Sequence, residues 1–280
     1  MTLPAERQPA NPGLWRRRDS LAALAGLGLL AATGPARAQA TASSLPDIVA
    51  RSKPSVLPVG TFNATDSPRF NFRGSGFVIA EESGRGNLLA TNFHVLPEGA
   101  GGDSGPVMAV LSGPGGPGAE SQRRLARVVA TDRQHDLALL QIEGPPMPGL
   151  TLETAGPVRE GQAVALMGFP IGGALGFSVV THRGIVASIT SAVMPAPTAR
   201  QLDPRAVSRL REGNFELLQL DATAYPGNSG GPTLDAETGR VIGIVSMVLV
   251  KGGRESALSS PTGITYAVPV ARLLALMQRR

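Results

Sequence analysis

A single serine, Ser229, lies in a segment that is dense in glycine and proline. The segment runs Tyr225-Pro226-Gly227-Asn228-Ser229-Gly230-Gly231-Pro232, between two short apolar runs that predict strands, 217–220 and 241–245. Because glycine adopts backbone angles that other residues avoid, such a loop can turn several N–H groups toward one point beside the hydroxyl. Acyl transfer needs that arrangement, an attacking oxygen with donors where negative charge develops. The alternative is a tight turn whose serine bonds only its own backbone.

A base and an orienting acid for this serine occur earlier in the chain. His94 lies in Thr91-Asn92-Phe93-His94-Val95, directly after an apolar stretch, and Asp136 opens an apolar run, 136–142, that predicts a buried strand. The order His, Asp, Ser is one of the recurring chain orders of the nucleophilic triad. The sequence therefore predicts His94, Asp136 and Ser229 as the catalytic residues.

The two other histidines, His135 and His182, are interpreted as structural. His135 is adjacent to Asp136, but neighbouring residues of a strand face opposite sides of the sheet. We therefore expect His135 to lie on the surface and to have no catalytic role. His182 lies in Val179-Val180-Thr181-His182-Arg183-Gly184 and is expected on a strand, where a structural role is again the interpretation.

Taken together, the segments around the three predicted catalytic residues resemble the HtrA/Deg-type serine proteases of the wider chymotrypsin-fold, or trypsin-like, family. The resemblance covers the chain from about residue 45 to residue 280. It includes four further segments in the order typical of the family: Gly74-Ser75-Gly76-Phe77-Val78-Ile79, Gly168-Phe169-Pro170, Arg183-Gly184-Ile185-Val186 and Gly263-Ile264-Thr265-Tyr266-Ala267-Val268-Pro269. It implies an all-β fold of two six-stranded antiparallel barrels, with a short N-terminal helix and a C-terminal helix.

The resemblance also implies the role of each site residue. Ser229 would attack the peptide carbonyl, His94 would carry the proton, and Asp136 would orient the imidazole. The oxyanion hole would come from the backbone N–H groups of Gly227 and Ser229, with the Asn228 peptide between them. Neither a cofactor nor a metal ion is expected for this chemistry.

Specificity can be bounded by the same resemblance. The base of the primary pocket would lie six residues before the nucleophile, at Thr223, which carries no charge. Arg or Lys beside the cleaved bond is therefore not expected. The pocket wall would come from Ile244, Val245 and Ser246 together with residues 263–265. These are small to medium residues, so we expect small or medium aliphatic side chains at the cleaved position.

Two other functions fit parts of the pattern. One is a protease-like protein that binds unfolded chains or peptides, as a chaperone does, with little turnover. The other is a glutamyl-type endopeptidase of similar fold. Gly230-Gly231-Pro232 after the serine fits the HtrA pattern better than the glutamyl one, and the presence of all three catalytic residue types disfavours an inactive relative.

Composition agrees with a β-rich domain and excludes several other classes. The 280 residues include 35 Gly and 24 Pro, which favour many short strands joined by turns. Cysteine is absent, so neither a disulfide nor thiol chemistry is available. The net charge of +5 includes +3 from residues 1–38 (five arginines and two acids), which leaves +2 for the remainder. No basic run is interleaved with aromatics, so nucleic-acid binding is not expected.

The N-terminal 38 residues have the pattern of an export signal. Arg16-Arg17-Arg18 precedes an apolar segment that begins at Leu21 and is short for a bilayer span, and Ala36-Arg37-Ala38 supplies a small-x-small cleavage site. The paired arginines resemble a twin-arginine signal, but Ser20 stands where that signal usually has Phe, so Sec export stays open. An uncleaved membrane anchor is the alternative. We expect a periplasmic or secreted protein without stable membrane insertion after cleavage.

The mature chain, 39–280, is predicted to be one protease domain. The expected parts are a first barrel at about 55–144, a second at about 150–268, and a C-terminal helix at 269–280. Polypeptides are the expected substrates, and the resemblance suggests a homotrimer. Typical HtrA members continue into PDZ domains, and no PDZ domain is expected in this sequence. The sequence also predicts a loop at 61–73, strands at 76–80, 178–181 and 184–189, and a long connection at 195–214 with four arginines.

Overall fold

Two closed six-stranded antiparallel barrels form the body of the molecule in a computed structural model that describes residues 43–102, 105–113, 122–172, 176–191, 215–246 and 263–280. The strands are numbered in chain order. Within the described residues, the first barrel closes in the order β1-β2-β4-β7-β6-β5 and the second in the order β10-β11-β14-β13-β12-β9. The two remaining strands, β3 and β8, pair with each other.

The first barrel is built from short apolar strands whose inward side chains exclude water. Leu89, Val110 and Leu140 have no exposed surface and pack together in its interior. The strands of this half of the molecule are β1 (Val56–Phe62), β2 (Phe70–Val78), β3 (Arg85–Gly86), β4 (Leu88–Thr91), β5 (Val107–Ser112), β6 (Gln122–Asp132), β7 (Leu137–Ile142) and β8 (Met147–Pro148).

The second barrel repeats this construction around its own interior. Val164, Leu220 and Ile242 are fully buried there and belong to one cluster. Its strands are β9 (Ala163–Gly168), β10 (Val180–Ser191), β11 (Glu216–Asp221), β12 (Pro232–Asp235), β13 (Val241–Val245) and β14 (Ile264–Pro269).

In the part of the chain that the structure describes, two short α-helices flank the barrels. Helix α1 (Leu45–Ser52) has Pro46 in its first turn, and α2 (Val270–Gln278) follows Pro269; proline suits these positions because the first N–H groups of a helix have no intrahelical acceptor. Ile48 of α1 and Leu273 of α2 are fully buried in a third cluster, which also contains side chains from both barrels. The helices and the two barrels therefore share one core, within a single compact unit that begins at residue 42.

The predicted fold class, all-β with two six-stranded barrels and a helix near each end, is confirmed. Two local predictions were wrong, and one strand was missed. The two strands expected at 178–181 and 184–189 are one, β10, because Thr181–Arg183 continue the pairing with β9. Strand β2 begins at Phe70 inside the expected loop, because Phe70–Phe72 pair with the end of β1. Strand β12 had not been predicted; it pairs with β9 on one side and β13 on the other.

The connection 195–214, with its four arginines, lies outside the described residues, as does the predicted export signal. Among the residues described, no helix combines the length and the apolar character that crossing a membrane requires.

Candidate active site

The turn that carries His94 leaves the first barrel directly after β4. Residues Phe93–Val95 form a 3-10 helix, and Asn92 before it is fully buried. Two hydrogen bonds attach this turn to the backbone of the acid: Phe93 N–H donates to the Asp136 carbonyl at 3.1 Å, and the Asn92 side-chain amide donates to the same oxygen at 2.9 Å. The predicted base and acid, 42 residues apart, therefore lie side by side.

The imidazole of His94 is held by the carboxylate of Asp136. Its Nδ1 lies 2.8 Å from Oδ2 and 3.0 Å from Oδ1, and the His94 backbone N–H donates to Oδ1 at 3.0 Å. The two side chains are 17% and 16% exposed. With an ionised carboxylate as partner, Nδ1 carries the proton, so the neutral ring has Nε2 as its acceptor. Asp136 adopts φ 55°, a left-handed conformation that non-glycine residues seldom take.

A third group, the hydroxyl of Ser246, completes the surroundings of this carboxylate. Ser246 directly follows β13 of the second barrel, has no exposed surface, and donates its Oγ–H to Asp136 Oδ2 at 2.7 Å. The sequence predicted Ser246 as part of the pocket wall and gave no sign of this contact.

Ser229 lies in the loop between β11 and β12 and is 3% exposed. Its carbonyl accepts from Ser75 N–H on β2 at 2.8 Å, which attaches the loop to the first barrel. The next residue, Gly230, has φ +85° and fits so closely that a β-carbon there would lie 2.1 Å from the Ser75 carbonyl and 3.2 Å from Asn92 N. Only glycine suits this position, which packs the serine loop against the residues that lead into the His94 turn.

The structure thus brings His94 and Asp136 into direct contact and packs the Ser229 loop beside them. The Nε2 atom of His94 is buried and makes no hydrogen bond to any residue in the described part of the chain. Catalytic hydrogen bonds are often long in the absence of substrate and shorten only when substrate binds. The lack of this hydrogen bond therefore does not exclude His94 as the base.

Successive peptide planes in the serine loop have defined orientations. The Pro226 carbonyl accepts from Ile171 N–H at 2.8 Å, and the Asn228 carbonyl accepts from Gly231 N–H at 2.9 Å. Because C=O and N–H point in opposite directions across a trans peptide, the N–H groups of Gly227 and Ser229 point away from those partners. Gly227 has φ +106°, and a β-carbon there would lie 2.2 Å from the Phe169 carbonyl.

The residues predicted for the specificity pocket are found in different surroundings. Thr223 is partly buried in the segment that precedes the serine loop. Ile244 and Val245 have no exposed surface, since their side chains pack in the core clusters of the barrels. Any contact of Ile244 or Val245 with a substrate would therefore come from the backbone. The assignment of these residues to the pocket stays a prediction.

The two other histidines both lie partly buried, and the expected surface position of His135 was wrong. Its side chain is 12% exposed, because Nδ1 lies 2.8 Å from Asp132 Oδ2 and the ring meets that of Phe215 edge-on, with centroids 4.7 Å apart. His182, on β10, lies near the ring of Tyr225, with centroids 6.0 Å apart. Burial lowers the pKa of His182 below the ordinary value.

Two further contacts adjust the pKa of the acid beside His135. Burial of Asp132 acts to raise its pKa, but hydrogen bonds from the His135 side chain, from Arg279 and from the His135 backbone outweigh it, and the pKa is lowered. Asp132 therefore stays ionised and links β6 to the end of the chain beyond α2 through the 2.7 Å bond from Arg279. Within the described ranges, no group of three or more His, Asp or Glu side chains has the spacing of a metal site.

Comparison with known proteins agrees with this geometry. Residues 74–244 match the family model described as the trypsin-like peptidase domain. A probable periplasmic serine endoprotease, DegP-like, from Halomonas elongata is 31% identical over 198 residues, which is 71% of this chain and 34% of that protein. A protein of the same name from Pseudomonas fluorescens is 28% identical over 197 residues, 70% of this chain and 32% of its own length.

Solved structures show the same similarity. The structure described as HtrA-type protease AlgW with tripeptide superimposes with a TM-score of 0.55 at 25% identity, covering 84% of this chain and 63% of the other. The chain spans about a third of the length of the curated relatives that it matches. It belongs to the trypsin-like peptidase domain family, and within that family it resembles the HtrA/DegP-like serine endoproteases.

Proposed function

We propose that this protein is a serine endopeptidase whose catalytic triad is His94, Asp136 and Ser229. The observation that carries the proposal is the contact of His94 Nδ1 with both carboxylate oxygens of Asp136, at 2.8 and 3.0 Å. It fixes the tautomer in which Nε2 can take a proton, and Nε2 is buried without a hydrogen-bond partner among the described residues. The glycine-rich loop of Ser229, packed against the turn that leads to His94, supplies the nucleophile.

The reaction follows from these roles. Ser229 Oγ attacks the carbonyl carbon of the scissile peptide, and its proton passes to His94 Nε2. The imidazolium that forms is stabilised by Asp136, which keeps its negative charge. His94 then gives the proton to the leaving amine as the C–N bond breaks, and an acyl-enzyme remains on Ser229. Water then gives a proton to His94 and attacks the carbonyl carbon of this ester. As the ester bond breaks, His94 returns the proton to Ser229 Oγ and the new carboxyl end is released.

The oxyanion that forms in each half of the reaction would be bound by the backbone N–H groups of Gly227 and Ser229, with the Asn228 peptide between them. The hydrogen bonds that hold the Pro226 and Asn228 carbonyls support this assignment, because each one orients the N–H of the same peptide away from the partner of that carbonyl. One such donor contributes about 3 kcal/mol to transition-state stabilisation.

The uncharged Thr223 supports a preference for small or medium aliphatic side chains at the cleaved position over Arg or Lys. By analogy with relatives named as periplasmic, we propose that residues 1–38 direct export and that the protease domain, 39–280, acts on unfolded or damaged polypeptides of the cell envelope. A homotrimer is the assembly that the family resemblance suggests.

Digestion of casein by the purified protein tests the function. Wild type is expected to cleave, with sites mapped by mass spectrometry after aliphatic residues, whereas Ser229→Ala and His94→Ala are expected to be inactive. Ser112→Ala is the matched control, because Ser112 is a buried serine of the first barrel whose hydroxyl donates to the Gln122 carbonyl at 3.1 Å. Cleavage that survives in Ser229→Ala would contradict the proposal. Binding of casein without cleavage would favour a chaperone-like protein, and cleavage only after Glu a glutamyl endopeptidase.

A further inference from the structure

The buried serine of the Gly74-Ser75-Gly76 segment connects the first barrel to the loop that carries the nucleophile. We propose that Ser75 is a positioning residue: its hydroxyl holds the Gly227 carbonyl and thereby keeps the oxyanion donors in place. The proposal rests on the proposed peptidase function and assigns to the first barrel a part in the oxyanion site. Ser75 touches none of the reacting atoms and acts through the backbone of Gly227 and Ser229.

Ser75 has no exposed surface, and each of its polar groups is engaged. Its N–H donates to the Ser229 carbonyl at 2.8 Å, and its own carbonyl accepts from Thr91 Oγ1 at 2.7 Å. Its Oγ donates to the Gly227 carbonyl at 2.6 Å and accepts from Phe169 N–H at 3.0 Å. One residue therefore contacts two residues of the serine loop, the end of the strand before His94, and the turn after β9.

The direction of the two hydroxyl contacts is fixed by chemistry. A serine hydroxyl has one proton to donate and two lone pairs that accept. A backbone N–H can only donate, so Ser75 Oγ accepts from Phe169 and its single proton goes to the Gly227 carbonyl. Removing this hydroxyl leaves that carbonyl without the donor that orients it.

Orientation matters at Gly227 because its backbone has more freedom than that of any other residue type. Four successive carbonyls of the loop are each held by a hydrogen bond: Pro226 by Ile171 N–H, Gly227 by Ser75 Oγ, Asn228 by Gly231 N–H and Ser229 by Ser75 N–H. Gly227, at φ +106°, lies between the first two of these anchors. The peptide that follows Gly227 is held at both ends, because its N–H, on Asn228, donates to the Tyr225 carbonyl at 3.0 Å and its carbonyl accepts from Ser75 Oγ at 2.6 Å. The bond from Ser75 is the anchor that the first barrel supplies, and it helps to set the relation between the two N–H groups proposed to bind the oxyanion.

Backbone of the second barrel and of the serine loop packs closely around Ser75. A β-carbon on Gly168 would lie 2.9 Å from Ser75 Oγ, and one on Gly230 would lie 2.1 Å from the Ser75 carbonyl. The same hydroxyl also contacts Phe169, two residues before Ile171, whose N–H holds the Pro226 carbonyl. Ser75 Oγ therefore connects the hydrogen bond that holds the Gly227 carbonyl with the turn whose Ile171 N–H holds the Pro226 carbonyl.

Steady-state kinetics on a peptide amide, with inhibition by a peptide boronic acid, tests this role. The boronate forms a tetrahedral adduct whose oxygen occupies the oxyanion site. Ser75→Ala is expected to lower kcat on the order of 10²-fold, comparable to loss of an oxyanion donor, with KM within about twofold of wild type. Boronate affinity should fall by a similar factor. The kcat and the boronate affinity of Ser75→Cys, whose S–H is a weak donor, should lie between those of wild type and Ser75→Ala. Ser112→Ala should match wild type in both.

If Ser75 had only a structural role, Ser75→Ala would be less stable than wild type, but its kcat per folded molecule and its boronate affinity would be unchanged. That result would overturn the proposal. A crystal structure of Ser75→Ala supplies a readout that needs no activity. We expect the peptide between Gly227 and Asn228 to have rotated, and an unchanged peptide would overturn the proposal. If the wild-type protein does not cleave peptide substrates, the proposed function fails. The orientation of the Gly227–Asn228 peptide group in the Ser75→Ala crystal structure still decides whether Ser75 positions the loop.

Discussion

The Ser246 hydroxyl donates a 2.7 Å hydrogen bond to Asp136 Oδ2, although the two residues lie 110 positions apart and belong to different barrels. The same carboxylate accepts from the backbone N–H and from Nδ1 of His94. The acid is therefore oriented from both sides: the first barrel supplies the histidine, and the residue after β13 of the second barrel supplies the hydroxyl. A shift of one barrel against the other would disturb the imidazole as well as the serine loop.

Replacing Ser246 tests this link. Ser246→Ala removes one of the hydrogen bonds that orient and stabilise the Asp136 carboxylate, and hydrogen bonds to charged groups contribute about 1.5–3 kcal/mol. We expect kcat/KM for a peptide substrate to fall at least tenfold, mainly through kcat. Steady-state kinetics with Ser112→Ala as the matched control measures the effect. A variant as active as this control would show that the contact has no part in catalysis.

The described residues include two histidine–aspartate pairs, His94–Asp136 and His135–Asp132, whose acids lie four positions apart in the chain. Only the first pair is predicted to be catalytic. Asp136→Asn should lower kcat roughly 10⁴-fold, because an amide favours the wrong tautomer of His94. Asp132→Asn makes the same chemical change in the pair with His135 and should leave kcat within a fewfold of wild type. Comparable losses in the two variants would contradict the assignment of His94 and Asp136.

Alanine substitutions at two glycines with positive φ distinguish the cost of backbone strain from the cost of a steric clash. At Gly84 (φ +73°) no atom lies within 4 Å of the position that a β-carbon would take, whereas at Gly230 (φ +85°) a β-carbon would overlap the Ser75 carbonyl. Gly84→Ala should cost about 1–2 kcal/mol in the free energy of unfolding, the strain alone. Gly230→Ala should cost clearly more. Urea unfolding in the Ser229→Ala background, which prevents self-digestion, gives both values, and equal costs would disprove the close packing at Gly230.

The lowered pKa of Asp132 leads to a prediction of how the stability of the protein depends on pH. Its pKa in the folded protein is lowered, since the hydrogen bonds from His135 and Arg279 outweigh the effect of burial. A lowered carboxyl pKa contributes stability that is present above the unfolded-state pKa of about 3.9 and is lost as pH falls through the folded-state pKa. The free energy of unfolding should therefore decline more steeply below about pH 5 in the Ser229→Ala protein than in its Asp132→Asn derivative. Parallel pH profiles would refute this role.

Much of the site follows from the sequence because its parts lie in short, chemically distinctive segments. The glycines around Ser229 predict a tight loop, and the apolar residues before His94 predict a strand. The contact between His94 and Asp136 joins two residues that the chain order of the triad had already selected. The contacts of Ser75 and Ser246 could not be predicted, because each joins one barrel to a loop or an acid of the other barrel. Only the closed barrels place such residues together.

The missed elements have a similar cause. Strand β12 (Pro232–Asp235) is four residues long and begins with proline, so its pattern resembles the turn it follows; pairing with β9 and β13 makes it a strand. His135 was expected at the surface because strand alternation was applied to it. It lies instead in a turn before β7, where Asp132 bonds both its backbone N–H and its ring.

The central claim is that Ser229 is a nucleophile activated by His94, and covalent labelling tests it most directly. The purified protein is incubated with a fluorophosphonate, and the modified residue is identified by mass spectrometry of the digested protein. The account predicts one adduct, on Ser229, that is absent from Ser229→Ala and strongly slowed in His94→Ala. An adduct on a different serine, or labelling of Ser229 at the same rate in His94→Ala as in wild type, would contradict it.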